Sequence, residues 1–263
     1  MALLELKDLS VFFGGVKAVQ DVTLSVDKGD FYGLIGPNGA GKTTVFNAVT
    51  GVVKPTKGQV CFNGACLNGM RPDKISHLGI ARTFQNIRIY PKMKVYENVS
   101  IGLNSIPQYG VLQAMLKTPL VRRRDREAHE ACIQYLKMVG MEQYKDYEAG
   151  ALSYGLQRKL EIARALATKP QLLFLDEPAA GMNTGESQEL VEFLRDLHKS
   201  TGLAIVLIEH HLEVVMELCE KITVLNLGKI LAKGTPEEIQ RNPDVIKAYL
   251  GDRRETNAGQ KLC

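Results

Sequence analysis

The segment Gly36-Pro37-Asn38-Gly39-Ala40-Gly41-Lys42-Thr43-Thr44 sets a lysine and two hydroxyls directly behind three glycines. Its spacing is GxxxxGK[ST], and each residue type has a chemical reason to be there. Glycines lack a Cβ, so successive backbone N–H groups can turn inward and form a nest for phosphate oxygens. Lys42 supplies a mobile cation for the β- and γ-phosphates of a nucleoside triphosphate. The Thr43 hydroxyl is a hard oxygen ligand of the kind Mg²⁺ takes. A helix starting here adds its dipole and its unpaired N–H groups.

Two further groups could act on a bound triphosphate. The apolar run Leu172 to Leu175 ends in Asp176 and Glu177. A carboxylate at the carboxyl end of a buried strand can hold Mg²⁺ through water, which suits Asp176. Glu177 follows it and suits the orientation or deprotonation of an attacking water. After a later apolar stretch comes Glu209-His210-His211, where a histidine could reach the γ-phosphate as a polar sensor. Position alone does not separate that role from a structural one.

These groups need elements that bring them together. Leu4, Leu6 and Leu9 are spaced by polar residues, and Val22, Leu24 and Val26 alternate strictly, the period of a half-buried strand. Lys28-Gly29-Asp30 turns the chain into Phe31 to Ile35, a continuous apolar run that suits a central parallel strand covered on both faces. A helix is expected from Lys42 to Thr50, with Gly51 placed to end it. Val60-Cys61-Phe62 followed by Asn63-Gly64 reads as a strand and turn. From about Asn86 to Leu160 the pattern becomes helical, with Ala128, Cys132, Leu136 and Val139 at helical spacing. Strands then return at Leu172 to Leu175, Leu203 to Ile208 and Ile222 to Leu225, separated by helices at Glu186 to Lys199 and Leu212 to Cys219. Alternation of this kind predicts an α/β fold of parallel βαβ units with right-handed crossovers.

Composition narrows the function classes. A chain of 263 residues with 45% hydrophobic content can bury a sizeable core, which excludes disorder, collagen-like repeats and a disulfide-stapled miniprotein. A net charge of +4 is too small to argue for nucleic acid or an anionic membrane. Cysteines at 61, 66, 132, 219 and 263 are odd in number and lack a CxxC pair, which fits reduced thiols. Cys61 and Cys66 could make half a metal site, but no second ligand pair of zinc spacing accompanies them. No signal peptide is read from MALLELKDLS, and no apolar run approaches the roughly 20 residues of a membrane span. The basic run Arg122 to Arg126 reads as the solvated end of a helix, with contact to lipid headgroups or acidic loops as the alternative, and has no interleaved aromatics to suggest nucleic acid.

Six motifs in order resemble those of the ATP-binding-cassette (ABC) ATPases over about residues 4 to 251. Beside the phosphate loop and LLFLDEP, the segment LSYGLQRKLEIARAL (152–166) is similar to the family's signature motif, usually LSGGQ. ARTFQ, ending in Gln85, resembles the Q-loop, EPAAGMN (177–183) the D-loop, and IEHH the switch-histidine loop, which selects His210. Phe13, before Gly14-Gly15, stands where the family's adenine-stacking aromatic is expected. Together with the ending NPDVIKAYLG, these segments resemble the ATP-binding subunit of branched-chain amino-acid importers of the Liv type. The lipopolysaccharide-export ATPase is the nearest alternative, with a soluble ABC ATPase of translation or DNA repair and a non-hydrolysing scaffold less favoured. Tyr154, Leu156 and Asn183 depart from the common pattern; none is a catalytic group, although Leu156 puts one signature contact in question.

The resemblance implies a P-loop NTPase (RecA-like) core with an antiparallel β subdomain and an inserted helical subdomain. Residues 1–251 form one cassette: core and β parts at about 1–85 and 160–225, the insertion at about 86–159, and a C-terminal extension at about 226–251. A flexible tail is expected at 252–263. ATP and Mg²⁺ are the implied ligands. Gly36 to Thr44, Phe13 and Gln85 hold the nucleotide, Thr43, Gln85 and Asp176 serve the metal, and Lys42, Glu177 and His210 act in hydrolysis. Ser153 and Gly155 face the γ-phosphate on a second cassette, in a homodimer or heterodimer. The implied partners are two transmembrane permeases fed by an extracytoplasmic binding protein, with no nucleic acid, at the inner face of the cell membrane. If the loop reading is correct, Lys42→Ala weakens ATP binding by roughly tenfold or more, the worth of one charge-assisted hydrogen bond. Unchanged affinity in a fluorescent-nucleotide titration contradicts it.

Overall fold

The structure, a computed structural model, describes residues 2–103, 115 and 118–249. Its strands, numbered in chain order, fall into two sheets. The smaller is antiparallel in the order β2 (Val16–Asp27), β1 (Ala2–Phe13), β4 (Lys57–Phe62) and β5 (Ala65–Cys66). The larger runs β10 (Lys229–Gly234), β9 (Lys221–Asn226), β3 (Phe31–Ile35), β8 (Ala204–Ile208), β7 (Leu172–Asp176) and β6 (Ile80–Arg82). All its neighbours pair in parallel except β10 with β9. The helices are α1 (Lys42–Val49), α2 (Pro72–His77), α3 (Val95–Ser100), α4 (Pro119–Met138), α5 (Tyr154–Leu166), α6 (Thr184–Thr201), α7 (Leu212–Leu218), α8 (Pro236–Arg241) and α9 (243–249).

The uninterrupted apolar runs are explained by which core each side chain enters. Every residue of β3, β7 and β8 is buried. Along β3, Phe31 and Ile35 enter one core while Tyr32 and Leu34 enter the other. Leu173 and Leu175 of β7 go with the first, Leu172 and Phe174 with the second. A two-residue period hidden inside a continuous apolar run is what a strand covered on both faces shows. The first core takes the inner faces of α4, α5 and α6, and the second takes α1 and the small sheet. The fold class is thus α/β.

The uneven spacing of Leu4, Leu6 and Leu9 also has a local cause. Asp8 takes a positive φ of 49°, and the register between β1 and β2 shifts between Leu6 and Leu9. This bulge spends one residue, so all three leucines are buried. Thr23 secures it by accepting from the Asp8 N–H and donating to the Asp8 carboxylate, both at 2.9 Å.

Several elements differ from expectation. Thr50 caps α1 instead of belonging to it, and Cys219 does the same for α7. Helix α6 is longer than Glu186 to Lys199 because Asn183 and Glu186 form a reciprocal capping box and Gly202 closes the other end in the left-handed region at φ 62°. Helix α5 runs through the boundary expected at 159/160. Strands β6 and β10 and helices α2 and α8, each short, and helix α9 do not show in the periodicity. The basic run lies in the first half of α4, where Arg122, Arg123 and Arg126 are exposed and Arg123 pairs with Glu127 at 2.8 Å. The expected tail at 252–263 lies outside the described residues.

Candidate functional site

The carboxyl ends of β3, β7 and β8 lie side by side, and each delivers one part of the site. From β3 the chain enters the loop Gly36 to Gly41 and then α1. Two of its glycines are demanded by close approach. A Cβ on Gly36, at φ 151°, would lie 2.1 Å from the Leu225 carbonyl oxygen, and one on Gly41, at φ 100°, 2.5 Å from that of Ala18. The loop is tied down by Gly228, whose N–H donates to Ala40 O at 3.1 Å while its carbonyl accepts from the Gln20 N–H at 2.7 Å. Lys42 is buried, and its ammonium folds over the loop to donate to the carbonyls of Gly36 at 2.7 Å and Pro37 at 3.0 Å.

Above this loop is an open cleft of about 560 Å³ lined by Asn38 to Thr44, Gln85 and Glu177. Two hairpin tips complete its rim: Val16 to Ala18 from β1–β2, and Leu227-Gly228 from β9–β10. Val16 and Leu227 are 66% and 78% exposed, an apolar edge suited to the face of a base. Phe13 pairs with Val16 across the hairpin and is half exposed, but Val16, not Phe13, lines the cleft.

At the end of β7, Glu177 takes φ 46°, a conformation uncommon for a non-glycine residue and costing of order 1 kcal/mol or more. Its N–H is held by the Ile208 carbonyl at 2.9 Å. The turn aims its carboxylate at the cleft, where Oε2 accepts from Gln85 Nε2 at 2.8 Å and lies 3.7 Å from His210 Nδ1. The sequence-selected residues Gln85, Glu177 and His210 therefore meet at one carboxylate. Asp176 is buried beside them, with Oδ2 bonded to the Arg82 guanidinium at 2.7 Å. The Thr43 hydroxyl is exposed and makes no hydrogen bond among the described residues. A hydroxyl, a carboxylate and an amide oxygen form a hard donor set that fits Mg²⁺.

The signature segment stands apart from this cleft in the same chain. Ser153 is the N-cap of α5, yet its side chain makes no capping bond, and Ser153 and Tyr154 are exposed. The Tyr154 hydroxyl donates to the Ala180 carbonyl at 3.0 Å, tying the start of α5 to the turn that follows Glu177. Leu156 packs, half buried, against the first core instead of facing solvent. Asn183 serves as the α6 cap.

A family model described as "ABC transporter" matches residues 19–180, and one described as "Branched-chain amino acid ATP-binding cassette transporter" matches residues 229–255. The chain is 44% identical over 250 residues to the high-affinity branched-chain amino acid transport ATP-binding protein LivG of Salmonella typhimurium, covering 95% of this chain and 98% of that one. With BraF of Pseudomonas aeruginosa, described in the same words, the identity is 43% over the same shares. The crystal structure of the ADP conformation of an ATP-binding cassette of an ABC transporter superposes with a TM-score of 0.82 at 31% identity, covering 95% of this chain and 99% of that one.

Sequence reasoning passed over the residues that hold the site in place. Glu209 is fully buried and accepts from the N–H groups of Ala179 at 2.8 Å and His210 at 3.2 Å, joining the ends of β7 and β8. Arg158 is fully buried in α5, paired with Glu161 at 2.8 Å, and donates to the carbonyls of Phe84 at 2.8 Å and Gln85 at 2.9 Å. The opposite charges three residues apart, in line with Ile162 and Leu166, were the available signal. Arg158→Met removes the close partner of the buried Glu161 carboxylate, leaving it the Arg164 guanidinium at 4.0 Å and the Arg88 N–H at 3.3 Å, and costs about 3–5 kcal/mol of stability, read from urea unfolding. Arg158→Met with Glu161→Leu recovers most of the stability but not turnover, since the Gln85 anchor stays lost. A single variant within about 1 kcal/mol of wild type contradicts this role for the pair.

Proposed function

Since the chain belongs to the ATP-binding-cassette family of transporter ATPases, we propose that it is the ATP-hydrolysing subunit of an importer of branched-chain or other hydrophobic amino acids. The observation that carries the hydrolytic reading is the meeting of Gln85, Glu177 and His210 at one carboxylate beside the Gly36–Thr44 cleft. The substrate class rests on relatives named for branched-chain amino acid transport and on the match of residues 229–255, which favours import over lipopolysaccharide export. We read residues 1–251 as one cassette with the core, β, helical and C-terminal parts given above.

ATP is the substrate. Backbone N–H groups of Asn38 to Thr44 and the N-terminus of α1 bind its phosphates, with Val16 at the base and Phe13 beside it in the hairpin. Lys42 leaves the Gly36 and Pro37 carbonyls to meet the β- and γ-phosphates, exchanging two neutral acceptors for charged ones. Thr43, Asp176 and Gln85 would hold Mg²⁺, which supplies charge neutralisation at the phosphates. Glu177 orients the attacking water and accepts its proton, while His210 fixes the carboxylate and reaches the γ-phosphate.

Ser153, Tyr154 and Gly155 complete the site of a second cassette. The Ser153 hydroxyl, unused as a cap, and the open end of α5 offer donors to a γ-phosphate presented from outside. ATP then joins two cassette chains, alike or different, and hydrolysis separates them.

The same geometry supports a permease contact. An apolar groove of about 360 Å³ lies between the small-sheet side and the helices, lined by Val52, Ile75, Ile80, Phe84 and Ile101. Val52 and Ile101 are 60% and 47% exposed, as suits a docking face. Phe84 precedes Gln85, so a displacement of Gln85 by nucleotide moves a wall of the groove. No described helix is long and apolar enough to cross a membrane, and the spanning work falls to two permeases on whose inner face this subunit sits. An extracytoplasmic binding protein delivers the solute to them.

Glu177→Gln keeps the hydrogen-bonding shape and removes the base. It binds ATP near wild-type affinity and turns over about 100-fold or more slowly. In cells lacking the native gene, wild type restores uptake of leucine, isoleucine and valine and Glu177→Gln does not. Rapid turnover by the variant removes Glu177 from the role assigned to it. Uptake that is unchanged by loss of the gene removes the amino-acid reading and leaves the ATPase.

A further inference from the structure

Cys61 and Cys66 lie directly opposite each other in the hairpin of β4 and β5. The turn between them is Asn63-Gly64, both left-handed at φ 48° and 78°, so Phe62 and Ala65 flank a two-residue loop. Pairing resumes beyond the cysteines, where the Leu67 N–H donates to Val60 O at 2.8 Å. The cysteines thus occupy the non-hydrogen-bonded position between two bonded pairs, where Cα atoms stand about 4.5 Å apart and side chains share a face. That face is the outer one, because Val60 and Phe62 on either side of Cys61 point into the core.

We propose that Cys61 and Cys66 form a reversible disulfide, an oxidant-responsive site remote from the nucleotide cleft. A separation of about 4.5 Å, usual at such a position, lies within what a disulfide spans, so the bond can close without moving the backbone. The bond closes a loop of only a few residues and so constrains the unfolded chain little, which suits the pair to switching and not to holding the fold together. Cys66 is exposed, its thiol 3.5 Å from the Asn68 side-chain oxygen, and Cys61 is half buried behind it. Hydrogen peroxide oxidises the Cys66 sulfur to a sulfenic acid with release of one water. The Cys61 sulfur then attacks it, forming the S–S bond and expelling the hydroxyl as a second water once a proton is taken up. Two thiols and one peroxide give one disulfide and two waters. The buried thiols do not compete: burial raises Cys132 to about 11 and raises Cys219 further still.

The hairpin is also connected to the rest of the molecule. Leu67, directly after Cys66, is buried in the second core, and the chain continues into α2, whose Ile75 lines the apolar groove. The Asn63 amide in the turn donates to the Gln171 side chain at 3.1 Å, just before β7.

The test is carried out on the full chain carrying Cys263→Ser, treated with hydrogen peroxide near stoichiometry, alkylated and mapped by mass spectrometry. The expected product is a 2 Da loss on the peptide holding Cys61 and Cys66, restored by dithiothreitol, with Cys132 and Cys219 unmodified. Cys66→Ser abolishes the loss and leaves Cys61 open to alkylation. Full alkylation of both residues after peroxide overturns the proposal. So does a product in which Cys66 is only overoxidised or joined to a second chain.

Discussion

The buried guanidinium of Arg158 is the joint on which the rest of the arrangement depends. Removing a charge from water costs several kcal/mol, and a close counter-charge with further hydrogen bonds offsets that cost. Here Glu161 supplies the counter-charge and the carbonyls of Phe84 and Gln85 accept from the two terminal nitrogens, while Nε has no partner among the described residues. One end of the network is helix α5, whose first residues form the signature segment. The other is the residue that touches Glu177. A helix in the inserted part and a loop at the sheet edge are thereby made to move together, because separating them would leave charge and donors unsatisfied in a dry interior.

The sheet supplies what such a joint needs to act on. Central strands with both faces buried cannot shift without disturbing two cores, so their carboxyl ends are fixed points. On those fixed points the chain places strained or tightly fitted turns: Gly36 against the Leu225 carbonyl, and Glu177 in the left-handed region. Glu209, buried between the ends of β7 and β8, sets the spacing of Glu177 and His210 through backbone N–H groups. Glu177 and His210, the groups proposed to act on the nucleotide, are thus held in place within one chain, while the signature segment at the start of α5 faces outward. An incomplete rigid site with an unused donor set elsewhere on its surface is the form expected of a subunit that works in pairs.

How much of this the sequence disclosed depends on the range of the interaction. Gly36 to Thr44, the Asn63-Gly64 turn and the buried runs of β3, β7 and β8 are local patterns, and each was readable. Strand β10 was not, because Lys229 to Gly234 is short and half exposed, and its pairing with β9 turns on Leu227-Gly228 without a strong turn dipeptide. Arg158 and Glu209 escaped because a charged side chain is ordinarily assigned to solvent. Their partners, Phe84, Gln85 and Ala179, lie 30 to 74 residues away in the chain. Phe13 is the instructive case of a residue chosen by resemblance: the hairpin places it next to the cleft wall, with Val16 on the wall itself.

The central claim, that this ATPase drives a membrane importer, is tested most directly by capturing tagged protein with ATP from the membranes of cells that make it. Every chain that comes with it is then identified by mass spectrometry. The account predicts two multi-span membrane proteins together with a second cassette chain, whether another copy or a related subunit. Recovery of ribosomal or DNA-repair proteins with no membrane-spanning partner contradicts it, and recovery of lipopolysaccharide-export components contradicts import while leaving the ATPase chemistry intact.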